Sequence, residues 1–178
     1  MIDLAVVKEM SKHTLIDTLG IEMVEIGEGR VVATMPVDWR THQPAGLLHG
    51  GASVALAETV ASIGAYALVD PNTENVVGLE INANHVRAVR RGTVTATGTV
   101  LHRGRTTMVW DVRITDEQGE LVCISRCTIA IIRKSERQAS FFNRRGAFNG
   151  REKPAHRFFR PNRQSNHVHR NTIGRSLQ

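Results

Sequence analysis

Residues 51–69 constrain the fold of this chain more than any other segment. Apolar and small residues occupy almost every position, so the helix that they predict has no polar face to turn toward solvent. A helix of this kind must be buried, and Pro71 ends it because proline cannot continue a helix. The rest of the domain therefore has to cover this helix on several sides.

Strand-like runs can supply that cover. Residues 21–24 and 31–35 flank a hairpin turn, and four further runs follow the helix at 76–84, 93–102, 106–115 and 121–132. The connectors at 91–92, 103–105 and 116–119 are short, which predicts antiparallel pairing of successive strands. Residues 3–13 add a short amphipathic helix. The predicted fold class is α+β, with an antiparallel β-sheet wrapped around one long buried helix.

The C-terminal part of the chain departs from this pattern. Residues 136–178 hold ten basic and two acidic side chains, whereas residues 1–135 hold 13 basic and 15 acidic ones. The overall charge of +6 therefore comes from the tail, which is rich in Arg, Asn, Gln and Ser and shows no periodicity. We predict one domain over 1–135 and a basic, disordered tail over 136–178, unless that stretch is foreign to the domain.

Cysteine usage and targeting signals indicate the compartment. Cys123 and Cys127 would lie roughly 13 Å apart on one strand, too far for a disulfide, which predicts free thiols in a reducing environment. The sequence shows neither a signal peptide nor an uncharged apolar run long enough to span a bilayer. None of the eight histidines falls in a metal-binding motif. We expect a cytoplasmic protein that needs no membrane, metal or redox cofactor.

Glu58 is the single carboxylate within the apolar helix. A buried carboxylate is costly unless it is paired, protonated or used in chemistry. No Arg or Lys occurs between residues 45 and 69, so the helix offers it no cationic neighbour. An ion pair with Arg87 or Arg113 on the sheet would make Glu58 structural. Without such a pair, Glu58 is a candidate catalytic group.

His49, Gly50 and Gly51 stand where the helix begins. Backbone N–H groups there lack helical partners and carry partial positive charge, and glycines let a substrate approach them closely. This indicates an oxyanion site, although two glycines alone could simply ease a sharp turn. Glu58 lies roughly 12 Å along the helix from Gly50. Only a second copy with an antiparallel helix could bring Glu58 to a carbonyl at Gly50, which predicts a homodimer with shared active sites.

The stretch Gln43-x5-His49-Gly50-Gly51-x6-Glu58 resembles the hotdog-fold acyl-CoA thioesterases that carry Glu on their central helix. Residues 35–41, 78–85 and 109–110 resemble in particular the 1,4-dihydroxy-2-naphthoyl-CoA hydrolases of menaquinone biosynthesis and related aryl-CoA thioesterases. The resemblance covers residues 14–133. It implies a hotdog fold and an enzyme that hydrolyses an acyl-CoA to the free acid and CoA. We expect its dimers to pair into a homotetramer.

The resemblance also implies roles for single residues. The Gly50 amide would hold the thioester oxygen, and Gln43 and His49 would position or polarise the carbonyl. Glu58 of the partner subunit would attack the carbonyl or activate water, and both routes stay open. Ser62, one turn beyond Glu58, would orient the carboxylate or the water, or else serve only in helix packing.

The nucleotide end of CoA is anionic and needs cations and N–H donors at the mouth of the site. We predict that five residues bind it, although each could also be an ordinary solvated turn residue. They are His85, Arg87, His102, Arg105 and Thr106.

The sequence also allows two functions other than thioester hydrolysis. A hotdog domain could bind acyl-CoA without catalysis, although such a module needs no unpaired buried acid. The tail could bind nucleic acid through its arginines, with Phe158 and Phe159 stacking on bases. A serine hydrolase is excluded, because residues 51–55 lack the last glycine of G-x-S-x-G.

Overall fold

The computed structural model describes residues 2–134, which form three helices and six strands. The elements in chain order are α1 (Leu4–Ser11), α2 (Leu15–Leu19), β1 (Glu22–Gly27), β2 (Arg30–Pro36), α3 (Gly50–Ala67), β3 (Glu74–His85), β4 (Thr93–Arg103), β5 (Thr107–Thr115) and β6 (Leu121–Arg133). The predicted long helix and the six predicted strands are confirmed, while α2 had no clear sequence signal. The predicted tail at 136–178 lies outside the described residues.

All six strands form one antiparallel sheet in the order β1-β2-β4-β5-β6-β3. The predicted pairing of successive strands is correct for β1–β2, β4–β5 and β5–β6. It is wrong for β3 and β4, because β3 pairs with β6 at the far edge of the sheet.

The segment 86–92 makes this crossover possible. The N–H of Val86 donates to Val122 on β6 (2.9 Å), and Val89 accepts from Leu48 ahead of α3 (2.8 Å). At its far end, Gly92 accepts from Val37 after β2 (2.8 Å). The segment therefore runs past the start of α3 with several of its backbone groups hydrogen-bonded, and it links the edge strand β3 to β4 in the interior of a sheet that curls around the helix.

The concave face of the sheet packs on α3 through a core of aliphatic, methionine and tryptophan side chains. Trp110 on β5 is fully buried, and its ring lies against Gly64 of α3 and near Gly98 of β4. A side chain at Gly64 would overlap that ring, which explains a glycine inside a long helix despite its cost to helix stability. The central helix and the sheet thus approach each other closely at this point.

Burial of α3 is uneven. The predicted burial is confirmed for one face, which includes Leu56, Val60 and Ala61, but not for the whole circumference of the helix. The opposite face, which carries Glu58, is half-buried, because the strand beside it is the edge strand β3. The other edge of β3 pairs with no strand of residues 2–134. This open edge lies next to the residues that are candidates for a catalytic role.

Candidate active site

Glu58 projects from the half-buried face of α3 toward β3, where its carboxylate lies against the backbone of Gly78. It makes no hydrogen bond or ion pair with any residue between 2 and 134. The two cations that could have made it structural are engaged elsewhere. Arg87 pairs with Glu120 (Nη2–Oε2 2.7 Å), and Arg113 pairs with Asp111 (Nε–Oδ2 3.3 Å). The structure therefore favours a chemical role for Glu58 over a structural one.

The groups nearest to Glu58 do not offset its charge. Burial raises the pKa of the Cys127 thiol to about 12, and the carboxylates of Glu58 and Glu80 act in the same direction. Cys127 thus stays a neutral thiol at physiological pH. The carboxylates of Glu58 and Glu80 therefore both lie close enough to the buried Cys127 thiol to affect it.

The start of α3 presents free donors. His49 is the N-cap, and its Nδ1 accepts a hydrogen bond from the Gly51 amide (2.8 Å). Because Nδ1 accepts, neutral His49 carries its proton on Nε2, which faces outward on an exposed side chain. The Gly50 amide donates to no residue in the described part of the chain, as its position at the first turn of the helix predicts. Two N–H groups are therefore available for a carbonyl oxygen.

Gln43 lies in the loop that leads into α3. Its backbone closes a turn by donating to Leu47 (2.8 Å) and accepting from Gly46 (2.9 Å). Its side-chain Oε1 accepts from the Ala45 amide (2.7 Å), which fixes the orientation of the amide group. The NH2 of the same side chain donates to no residue within 2–134, so it provides a third free donor next to the helix start.

His85 is closer to the start of α3 than the sequence suggested. It ends β3, and its imidazole covers Gly50, so that Nε2 would lie only 2.7 Å from a Cβ at that position. We expected His85 to bind the nucleotide end of CoA at the mouth of the site. The structure places its ring against Gly50, beside the donors at the helix start, and nucleotide binding stays a prediction.

The other predicted nucleotide-binding residues fall into two groups. Arg87 follows β3, and its guanidinium is held by Glu120. His102, Arg105 and Thr106 lie exposed in the β4–β5 hairpin. The neighbouring Arg103 side chain donates to the carbonyl of Leu68, which places this hairpin at the C-terminal end of α3, opposite Gly50. One chain does not bring the two groups together.

Ser62 lies one turn beyond Glu58 on the same half-buried face of α3. No hydrogen bond joins the two side chains in the described structure. The sequence missed two other neighbours of Glu58, namely Gly78 and Cys127. An isolated glycine within a strand often marks the close approach of another group, and Gly78 carried that signal.

A cleft of about 350 Å³ lies elsewhere, between α1, α2 and β1, and none of the predicted site residues lines it. Residues 2–134 contain no group of three or more His, Cys, Asp or Glu side chains that could hold a metal ion. No helix in the same range is long and apolar enough to cross a membrane. Within residues 2–134, Glu58, Gly50 and His85 lie along α3 and β3, away from this cleft.

An antiparallel sheet around one helix, with free donors at the helix start and an unpaired carboxylate further along, defines a hotdog-fold thioesterase. Sequence comparison agrees, since the profile of the thioesterase superfamily matches residues 45–123. The chain is 61% identical over 123 residues to ComA2 of Bacillus subtilis (strain 168), an alignment that covers 69% of this chain and 98% of ComA2.

A named enzyme and a solved structure extend this result. The chain is 52% identical over 118 residues to a 1,4-dihydroxy-2-naphthoyl-CoA hydrolase of Listeria monocytogenes (serotype 1/2a, strain 10403S), covering 66% of this chain and 95% of the hydrolase. A variant of thioesterase PA1618 from Pseudomonas aeruginosa matches with a TM-score of 0.74 at 46% identity, over 75% of this chain and 96% of that one. The chain belongs to the thioesterase superfamily, and it is a thioester hydrolase.

Proposed function

We propose that this enzyme hydrolyses acyl-CoA thioesters in active sites that are each shared by two chains of a homodimer. The observation that carries the proposal is the separation of the two halves of the site on α3. The free Gly50 amide stands at the helix start, and the unpartnered Glu58 lies eight residues further on, about 12 Å away. Reacting groups must approach to roughly 3–3.5 Å, so one chain cannot complete the site.

The geometry of β3 supports a specific dimer. His85 covers Gly50 and Gly78 faces Glu58, so β3 runs antiparallel to α3 along the same face. Two copies of the open β3 edge could pair antiparallel about a two-fold axis between residues 81 and 82. That axis would place His85 beside Gly78 of the partner subunit. It would also bring Glu58 of the partner subunit toward Gly50, which joins the two halves of the site.

The assembled site would carry out acyl transfer from sulfur to oxygen. The Gly50 amide, His49 Nε2–H and the Gln43 amide would donate to the thioester oxygen as negative charge develops on it. Glu58 of the partner subunit would either attack the carbonyl carbon or remove a proton from an attacking water. In both routes the C–S bond breaks, and CoA leaves as a thiolate that takes up a proton. Direct attack would leave a mixed anhydride on Glu58, which water then hydrolyses to the free acid and the regenerated carboxylate, whereas the water route gives the acid in one step.

The two-fold arrangement also suggests how the nucleotide end of CoA binds. The hairpin with His102, Arg105 and Thr106 lies at the C-terminal end of α3. An antiparallel helix pair would bring that end of one chain to the N-terminal side of the other, beyond His85 and Arg87. We assign the phosphates to this combined cationic rim.

Three further parts of the proposal concern the substrate, the cellular location and the assembly. The relative named 1,4-dihydroxy-2-naphthoyl-CoA hydrolase supports an aryl-CoA substrate of that kind, hence a step of menaquinone biosynthesis. Two free cysteines support a reducing, cytoplasmic location. We also propose that dimers pair into tetramers. A panel of aryl-CoA, medium-chain acyl-CoA and carrier-protein thioesters, ranked by kcat/KM, tests the acyl preference, and sedimentation equilibrium tests the tetramer.

Subunit complementation tests the shared site directly. Glu58→Gln and His49→Ala should each be almost inactive alone, because each removes one half of every site. After subunits are mixed and exchanged, half of the dimers are mixed, and each mixed dimer has one intact site. The mixture should therefore recover about a quarter of wild-type activity.

Mixing Glu58→Gln with a second Glu58 variant, Glu58→Ala, is the matched control and should recover nothing. If the Glu58→Gln and His49→Ala pair also recovers nothing although exchange is verified by mass, then each site lies within one chain and the shared-site proposal is wrong. Wild-type turnover by Glu58→Gln alone would remove Glu58 from the mechanism.

A further inference from the structure

Gly78 on β3 lies directly against the Glu58 carboxylate. A Cβ built on Gly78 would overlap Glu58 Oε1, and it would also lie 3.4 Å from Cδ of the same side chain. The third nearest atom to that Cβ position is Cγ of Glu58, at 3.9 Å, so the three nearest atoms all belong to one side chain. The space that a side chain at position 78 would take is therefore filled by Glu58.

The backbone at Gly78 does not require glycine. Its φ is not positive, whereas five other glycines of the described chain do have positive φ. An alanine could adopt this strand conformation without strain. The position needs a residue without a side chain because Glu58 fills the space that a Cβ would take.

A β-bulge adds to this arrangement. The register of β3 against β6 shifts between Gly78 and Glu80, so that Leu79 is the extra residue. Bulges bend a strand and re-aim its residues, and they occur often beside active sites. Here the bulge begins at the residue that the carboxylate contacts. It sets the position of the flat surface against which Glu58 rests.

We propose that Gly78 is a positioning residue for hydrolysis, and that it holds the Glu58 carboxylate in its reactive position by leaving room for it on β3. This inference rests on the proposed catalytic role of Glu58. A methyl group at position 78 would push the carboxylate away by about 1 Å, to reach ordinary van der Waals separation. The carboxylate is the far end of a flexible side chain, so it would move while the strand stays in place.

Gly78→Ala should therefore separate catalysis from stability. A misplacement of about 1 Å can cost roughly 100-fold in rate, so kcat should fall by about that factor while KM changes only a few-fold. The melting temperature should not fall, because replacing glycine by alanine in a compatible strand reduces the entropy of the unfolded chain. Gly27→Ala on β1 is the matched control, since the nearest atom to its Cβ is at 3.4 Å and β1 lies at the opposite edge of the sheet from β3.

A double-mutant cycle makes the test specific to the contact. Glu58→Asp shortens the side chain by one methylene and withdraws the carboxylate from position 78. If Gly78 acts through Glu58, then Gly78→Ala should reduce kcat about 100-fold in the wild-type background but only a few-fold in Glu58→Asp. A purely structural role would instead lower kcat equally in both backgrounds.

The outcomes also separate this inference from the proposed function. Full activity of Glu58→Gln would defeat the catalytic role and the inference with it. If Glu58→Gln is inactive but Gly78→Ala has wild-type kcat, the catalytic role stands and the positioning role is wrong. Additive effects of Gly78→Ala and Glu58→Asp, or loss of the dimer in Gly78→Ala, would likewise overturn the positioning role.

Discussion

Replacing Glu58 by Gln should make the enzyme inactive and more stable at once. The carboxylate is half-buried, makes no hydrogen bond or ion pair within residues 2–134, and lies near the buried Cys127 and a second acid, Glu80. Folding therefore removes water from a charge without offering it a counter-ion. Glutamine keeps the shape of the side chain and its contact with Gly78, but it removes the charge.

The magnitudes follow from these surroundings. Loss of an acid–base group costs about 100- to 10,000-fold in rate, so kcat should fall by at least about 1,000-fold for a group that carries the reaction. Relief of an unpaired, half-buried charge should raise the free energy of unfolding by about 0.5–2 kcal/mol, in the range seen when a functional group is replaced at the expense of activity. For a domain of this size the melting temperature should rise by about 2–6 °C.

Glu120→Gln is the control, because it makes the same chemical change at an exposed ion pair. Glu120 binds Arg87 at 2.7 Å, and its removal should leave kcat unchanged and cost at most about 1 kcal/mol. Urea titration at fixed protein concentration and single-substrate kinetics measure both quantities. If Glu58→Gln lowers the free energy of unfolding by more than Glu120→Gln does, then Glu58 has a stabilising partner and the expected gain in stability is wrong.

Three further predictions concern other parts of the molecule. Gly64→Ala should lower the free energy of unfolding by about 1–2 kcal/mol, because overlap with the Trp110 ring outweighs the better helix propensity of alanine, and Trp110→Phe should reduce that loss in a double-mutant cycle measured by urea titration. Stability should fall as pH rises above about 9, since the thiol of Cys127 ionises in the unfolded chain but keeps its proton to about pH 12 when folded; Cys127→Ala should flatten this part of the pH profile. A chain that ends at Lys134 should fold and hydrolyse thioesters at the wild-type rate, and failure of circular dichroism or kcat to match would show that residues beyond it are needed.

The sequence predicts elements of this fold well because their signals are local. An apolar helix without a polar face can only be central, and short connectors define hairpins such as β4–β5. The neighbours of β3 could not be predicted in the same way. The segment 86–92 is long enough to cross a curled sheet, and the curl depends on packing against α3 rather than on the segment itself.

The candidate site could likewise be predicted only in part from the sequence. The spacing from Gly50 to Glu58 along one helix is fixed by helix geometry, so the sequence was sufficient to predict a site shared between chains. The position of His85 over Gly50 and of Gly78 beneath Glu58 depends on how β3 crosses α3. Such contacts join residues far apart in the chain, and no local pattern reports them.

The kinked edge of β3 also limits which chains can associate with this protein. An open strand edge can recruit any extended peptide, which is a common origin of aggregation. The extra residue at Leu79 breaks the regular spacing of donors and acceptors along that edge, so a straight strand cannot pair along its whole length. In the proposed pairing about an axis between residues 81 and 82, each Leu79 would lie opposite residue 84 of the partner subunit. The regular stretch 80–83 lies between the two kinks, and a second copy would pair there. The kink in β3 therefore disfavours pairing with long extended peptides, while it leaves room for short pairing with a second copy of the same chain.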